Sequence, residues 1–259
     1  MKKIIPFLIP VLFFMSCKKD SSTDVMPVLA KTNTATLLTP ASTLSFSGYT
    51  WTIKDSGTGT AGPGPNHWGA SNSFVDANGY LHLKLTKVGG KWYCAEVIST
   101  QSFGYGTYQW YSEGRIDTLD RNVVFGLFNY SGVDGYDEMD IEYAKWGVNS
   151  NNNTNFTIYP AQGSGPANWH TTYNTSLTGT YTTQRFTRNS NTSVYFQELG
   201  GFQTGNTNQI TSAICNNPPN SISTLAMPIH MNLWLFQGNA PVNKSQVEII
   251  IHSFTFTPQ

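Results

Sequence analysis

The segment Glu138-Met139-Asp140-Ile141-Glu142 places three carboxylates at alternate positions. On a β-strand alternate side chains share a face. Glu138, Asp140 and Glu142 would then point one way, and Met139, Ile141 and Tyr143 the other. The second set reads as a core face. The first is a row of acids, and its chemistry follows from crowding. Three carboxylates this close cannot all ionise easily, so at least one keeps its proton near neutral pH and can act as a general acid. Four residues of strand span roughly 13 Å at 3.3 Å per residue. Glu side chains leaning inward on a concave sheet shorten that gap toward the roughly 5 Å of a nucleophile and an acid/base working on one glycosidic bond. The shorter Asp140 fits between them.

Fifteen carboxylate side chains occur in the chain, and five of them, Asp134, Asp137, Glu138, Asp140 and Glu142, fall within nine residues. Such concentration costs repulsion and desolvation, which argues for a use. Two other readings remain for the same residues. A solvated acidic strand fits poorly with a chain that is only 12% charged. A Ca²⁺ site fits poorly with a strand backed by Met and Ile, because Ca²⁺ loops usually draw their ligands from Gly-containing turns.

The elements that must position this row read as strands. Tyr80 to Thr86 alternates strictly, with Leu81, Leu83 and Leu85 on one face. Similar runs are Lys91 to Ile98, Thr107 to Ile116, Val123 to Tyr130, Glu138 to Tyr143, Asn155 to Tyr159, Val194 to Gln197, Ile229 to Phe236 and Val247 to Phe256. Clusters such as Gly62-Pro63-Gly64-Pro65-Asn66 and Asn149 to Asn153 separate them. No stretch shows a sustained helical period. The class is all-β, a sandwich or barrel. Aromatic residues make up 14% of the chain, and 15 Lys and Arg balance 15 Asp and Glu. A large core is affordable, and nucleic acid is excluded as a partner for want of a basic surplus.

The chain begins with Lys2 and Lys3, an apolar run from Ile4 to Phe14, and Met15-Ser16-Cys17. The run is too short to span a bilayer and resembles a bacterial lipoprotein signal. Residues 1–16 are expected to be the signal peptide. Residues 17–44 would be the lipidated Cys17 and a flexible linker, and residues 45–259 the catalytic domain. That address implies an exported lipoprotein, held through its N-terminal lipid anchor at the outer membrane or cell surface. An ordinary signal peptide with Cys17 incidental is the alternative. Cys94 and Cys215 remain. An exported compartment permits a disulfide between them, but spacing does not show that they meet, and two buried free thiols fit as well.

Asp137-Glu138-Met139-Asp140-Ile141-Glu142-Tyr143 resembles the active-site strand of glycoside hydrolase family 16. Having a single residue between Asp140 and Glu142 resembles the lichenase and xyloglucan-hydrolase branch. The flanks are similar too, in the family's order over most of residues 46 to 257. Ala95-Glu96-Val97-Ile98-Ser99 followed by Phe103-Gly104-Tyr105-Gly106 resembles the strand and turn that carry a substrate-contacting Glu. Phe128-Asn129-Tyr130 resembles the next strand's aromatic pair, and Met231-Asn232-Leu233-Trp234 a later cleft strand.

The resemblance implies a concanavalin A-like β-jelly-roll sandwich with an open cleft on its concave sheet. It further implies retaining endo-hydrolysis of a β-linked polysaccharide. Glu138 would be the nucleophile, Glu142 the acid/base, and Asp140 the residue that orients and tunes them. Substrate contacts would come from Asn66, Glu96, Phe128, Tyr130, Tyr136, Tyr159, Asn232 and Trp234, the aromatic rings stacking on sugar faces. No cofactor is required for the chemistry. A structural Ca²⁺ occurs in the family, with no ligands assigned here. A monomer is expected. Mixed-linkage β-1,3-1,4-glucan is the preferred substrate. Xyloglucan or another β-glycan, transfer instead of hydrolysis, and a non-catalytic glycan-binding lipoprotein are the alternatives. Some positions depart from the family pattern. Tyr136 stands for Trp, Thr157 for Asn, and Arg188 for an expected Trp, where a cation near the cleft would favour an anionic glycan.

Overall fold

Leu81, Leu83 and Leu85 are fully buried, and the residues between them are half-buried. The same two-residue alternation recurs through a computed structural model that describes residues 42–164 and 168–259. The expected signal peptide, Cys17 and the linker up to residue 41 lie outside the described residues.

Sixteen strands follow in order: β1 (Thr43–Phe46), β2 (Tyr49–Ile53), β3 (His67–Trp68), β4 (Ser73–Val75), β5 (Leu81–Val88), β6 (Lys91–Phe103), β7 (Gly106–Glu113), β8 (Val123–Tyr130), β9 (Glu138–Tyr143), β10 (Thr154–Tyr159), β11 (Trp169–Tyr173), β12 (Tyr181–Asn189), β13 (Ser193–Gly200), β14 (Gln209–Asn216), β15 (Met227–Leu235) and β16 (Val247–Pro258). One layer runs β11-β10-β9-β8-β15-β6, with β2 and then β1 added beside β6. The other runs β5-β16-β7-β12-β13-β14, with β4 beside β5. The β5–β6 hairpin, paired through Thr86↔Tyr93 and Val88↔Lys91, joins them. Apart from the two-residue parallel pairing of β3 with β6, every pairing is antiparallel. This is a jelly-roll sandwich.

Between the layers lies one aromatic core. Trp51 and Trp110 are fully buried, and Phe254 meets Trp51 edge-on at 5.7 Å between centroids. Met139, Ile141 and Tyr143 of β9 are completely buried there, so the opposite face of β9 turns away from the core. The expected strand at Val194 to Gln197 lies within β13, and the polar segment before it carries a further strand, β12, joined to β13 by a tight turn at Asn189–Ser193. Strands β1–β4, β11 and β14 went unread because they are short or lie at the sheet edges, where alternation is weak. Thr43 and Leu44, placed in the linker by the sequence, already belong to β1.

One open alternative is resolved and one expectation is corrected. Cys94 and Cys215 form no disulfide; both are buried free thiols. Cys94 Sγ donates instead to Asn66 Oδ1 at 3.4 Å. Burial pushes the two thiols up, to about 12 for Cys94 and about 11 for Cys215. Arg188 is nowhere near the cleft. It is fully buried on β12 in the other layer, where its guanidinium donates to the carbonyls of Phe103, Ser223 and Leu225.

Candidate active site

Strand register assembles the site in cross-strand rows. Asn155, Glu142, Gly126, Asn232 and Glu96 stand side by side across β10, β9, β8, β15 and β6. The next row holds Thr157, Asp140, Phe128, His230 and Ile98. A third holds Tyr159, Glu138 and Tyr130. On a pleated sheet such neighbours sit about 5 Å apart. The rows floor an open cleft of about 650 Å³.

The carboxylate row lies in that cleft as the alternation requires. Asp140 is 2% exposed, and Glu138 and Glu142 are half-buried. Burial pushes Glu138 up to about 7; Asp134 and Glu96 add repulsion, while a hydrogen bond from Asp140 pulls it down. Burial, then Glu138, pushes Glu142 up to about 8. Asp140 is raised well above the carboxylate range, by burial and by the negative charges of Glu138 and Glu142. Its Oδ2 is buried without a hydrogen-bond donor. A proton on the Asp140 carboxyl is donated to Glu138, which keeps Asp140 neutral and favours the carboxylate of Glu138. The environments therefore push the members of one row toward different protonation states.

Backbone geometry fixes the row's start. Asp137 adopts a left-handed conformation, φ 50°. Its N–H donates to Pro160 O at 2.9 Å, and its Oδ2 accepts from the Gln162 N–H at 3.2 Å. At the other end Trp146, φ 51°, donates from Nε1 to Asn155 Oδ1 at 3.0 Å. Strained backbone at both flanks of β9 is held by the surrounding structure, a pattern common at functional sites.

Phe128, Tyr130, Tyr159, Asn232 and Trp234 line the cleft beside the acids. Asn232 Oδ1 and Trp234 Nε1 have no protein partner. Glu96 also lines it, but both its oxygens are engaged. Lys54 Nζ donates to Oε2 at 2.6 Å, and His230 Nδ1 meets Oε1 at 2.8 Å. Two expected contacts are displaced. Asn66 is 2% exposed and turned inward, donating to Pro63 O at 2.7 Å and Leu235 O at 2.9 Å. It holds the Gly/Pro loop that forms the cleft's rim and does not face the cleft itself. Tyr136, in the turn before β9, is 37% exposed and is not among the residues that line the cleft.

Sequence reasoning missed Lys54, His230, Asp134 and Trp146, which all line the cleft. His230 stacks on Phe128 at 4.9 Å, and Asp134 accepts from Tyr130 Oη at 2.6 Å. For Asp134 a signal existed, since it belongs to the acidic cluster. Among the described residues no three His, Cys, Asp or Glu side chains converge as a metal site, so no Ca²⁺ ligand set is assigned.

The sequence matches no family profile and no curated protein. Solved structures do match. A β-glucanase of Bacillus licheniformis is 22% identical, with a TM-score of 0.59, over 81% of this chain and 92% of that one. A glycoside hydrolase family 16 endo-glucanase from Bacteroides ovatus is 15% identical, TM-score 0.59, over 80% and 94%. An immunostimulatory antigen and pseudo β-1,3-glucanase of Mycobacterium tuberculosis is 17% identical, TM-score 0.60, over 81% and 91%. At these identities the likeness is one of fold: this chain has the sandwich that those proteins share.

Proposed function

We propose that this protein is a retaining endo-glycosidase of β-linked polysaccharide, with mixed-linkage β-1,3-1,4-glucan as the preferred substrate. The observation that carries the reading is the row Glu138–Asp140–Glu142 on the open face of β9, in a cleft edged by aromatic rings. Glu138 attacks the anomeric carbon while Glu142 protonates the leaving oxygen. Glu142 then deprotonates a water that releases the glycosyl–enzyme. Asp140 hydrogen-bonds Glu138 and holds it ionised. The rings of Tyr130, Tyr159, Trp146 and Trp234 offer stacking faces to sugars. The likeness to the Bacillus β-glucanase and the Bacteroides endo-glucanase supports this reading.

A second reading is glycan binding without turnover. It is favoured by the likeness to the mycobacterial protein described as a pseudo-glucanase. Release of reducing ends from barley mixed-linkage glucan, xyloglucan, laminarin, agarose and carrageenan separates the two. Turnover on one polymer, abolished by Glu138→Gln, supports the glycosidase. Retained binding without turnover on any supports the second reading. We also propose that Cys17 tethers the protein at the cell surface; Cys17→Ser should then move it from the membrane fraction to the soluble one.

A further inference from the structure

Trp146 lines the cleft and also a second groove of about 580 Å³. Its walls come from the segments around Arg121, Gly147 and Phe236–Ala240. Backbone bonds tie these together: the Gly147 N–H donates to Arg121 O at 2.8 Å and the Phe236 N–H to Asn122 O at 2.8 Å. Asn122 Nδ2 adds a bond to Ala240 O at 2.8 Å. Trp146 belongs to both spaces, and Phe236 packs edge-on against it at 5.5 Å.

Arg121 is the unusual member. The chain has four arginines. Arg115 is paired with Asp117 at 2.8 Å, Arg185 is surrounded by the oxygens of Gln109, Gln197 and Asn206, and Arg188 by backbone carbonyls. Among the described residues Arg121 has no side-chain hydrogen bond at all; its Nε, like that of Arg188, is closed to water without a partner, but Arg188 donates through both terminal nitrogens and Arg121 through neither. No carboxylate lines the groove. The adjacent Asp120 is committed elsewhere, accepting from the Asn122 N–H and the Asn243 N–H at 3.0 Å each. A guanidinium in such a place lacks an anion, and its planar fork suits two oxygens of one acidic group.

We propose that this groove is a recognition site for an acidic substituent on the glycan, a carboxylate or a sulfate half-ester, with Arg121 as its anchor. The proposal rests on the glycosidase reading only for the β-glycan backbone; the acidic substituent is an addition to the neutral glucan preferred there. The amides of Gln237 and Asn239 line the same groove and supply further donors. The carboxylates of the cleft repel an acidic sugar, and Arg121 attracts it. The two together fix the register of a charged polymer, keeping its acidic residue beyond Trp146 and a neutral one over Glu138 and Glu142.

The test measures binding of the full chain to barley mixed-linkage glucan in three forms: unmodified, carboxymethylated, and sulfated to the same degree. The wild type should bind at least one acidic form about tenfold more tightly than the neutral parent. Arg121→Gln should bring that ratio to about one, Arg121→Lys should keep most of it, and high salt should erase it. The acidic form that is preferred tells carboxylate from sulfate. Equal binding of all three forms by the wild type, or an unchanged ratio in Arg121→Gln, overturns the proposal. Should Arg121→Gln fail to fold, Asn239→Asp places a like charge in the groove and must lower the same ratio; no change there overturns it equally. Binding and turnover fail independently. An Arg121-dependent preference without turnover on any polymer removes the glycosidase and leaves this site standing, and turnover without the preference does the reverse.

Discussion

Asn232 and Gly126 face each other across the β15–β8 ladder, and a Cβ on Gly126 would lie 2.6 Å from the Asn232 carboxamide oxygen. Gly126 is the space into which that carboxamide fits, between Glu142 on one side and Asn232 on the other. Gly126→Ala must therefore turn the Asn232 side chain out of place, in a short residue that is 2% exposed and has little room to yield. The expected result is a loss of about tenfold in kcat/KM, equivalent to roughly 1.4 kcal/mol. Repeated in an Asn232→Ala background, the same substitution should cost almost nothing. Equal losses in both backgrounds would show that Gly126 acts without Asn232.

The carboxylate row sets the pH dependence of both rate and stability. As the proposed nucleophile, Glu138, at about 7, must be ionised, so activity should fall as pH drops below that value. As the proposed acid, Glu142, at about 8, must be protonated, so activity should fall above it. A narrow bell centred between the two is expected in kcat/KM, its limbs belonging to the set as a whole. Asp134→Asn removes a repulsive charge facing Glu138 and should move the acidic limb to lower pH.

Stability follows from the same raised values. Both groups bind protons more tightly when folded than their ordinary 4.5 allows. Their contribution is complete below that ordinary value and is lost as pH rises through 7 and 8. The thermal midpoint should fall between pH 5 and pH 8.5, and Glu142→Gln should flatten the fall. A midpoint that rises over this range would contradict the burial of the row.

How much of this was legible depends on whether the information was local. Period two alone separates Glu138, Asp140 and Glu142 from Met139, Ile141 and Tyr143, and the structure keeps that division. Strand β8, an apolar run bounded by turns, was equally readable. Strand β12 was obscure because Thr182, Thr183, Gln184, Arg185 and Arg188 are polar yet buried, each hydrogen-bonded to partners that only the fold supplies. Lys54 was invisible because its partner Glu96 is 42 residues away. Asn66 and Tyr136 sat in loops whose positions a motif places, but whose side-chain directions it does not. Spacing likewise carried no information about whether Cys94 and Cys215 meet.

Arg188 offers a test of stability kept apart from catalysis. Its guanidinium serves three carbonyls in the interior and stacks 5.4 Å from the Tyr105 ring. Arg188→Met fills part of the volume but leaves those carbonyls without donors, at a cost of roughly 2–4 kcal/mol. A fall in Tm of roughly 5–15 °C is expected for a domain of this size. At a temperature where the variant is folded, kcat/KM should match the wild type. A large change in KM for an anionic glycan would instead place Arg188 in the binding machinery.

Glu96 provides the last test, because both its carboxylate oxygens are already taken. Lys54, lying 4.1 Å above the Trp68 ring, holds one, and His230, stacked on Phe128, holds the other. A sugar reaching this part of the cleft meets Lys54 Nζ and the free His230 Nε2 together with the carboxylate they share. Glu96 would then act by positioning these two groups. Glu96→Gln keeps the shape, removes the charge that fixes Lys54, and disturbs the acceptor of His230. KM should rise by about tenfold with a smaller change in kcat, the signature of binding lost equally in ground and transition states. His230→Ala should raise KM as well, and the double variant should cost clearly less than the sum of the two, since contacting residues do not add. Strict additivity would mean that Glu96 touches the substrate on its own account, as the family resemblance implied.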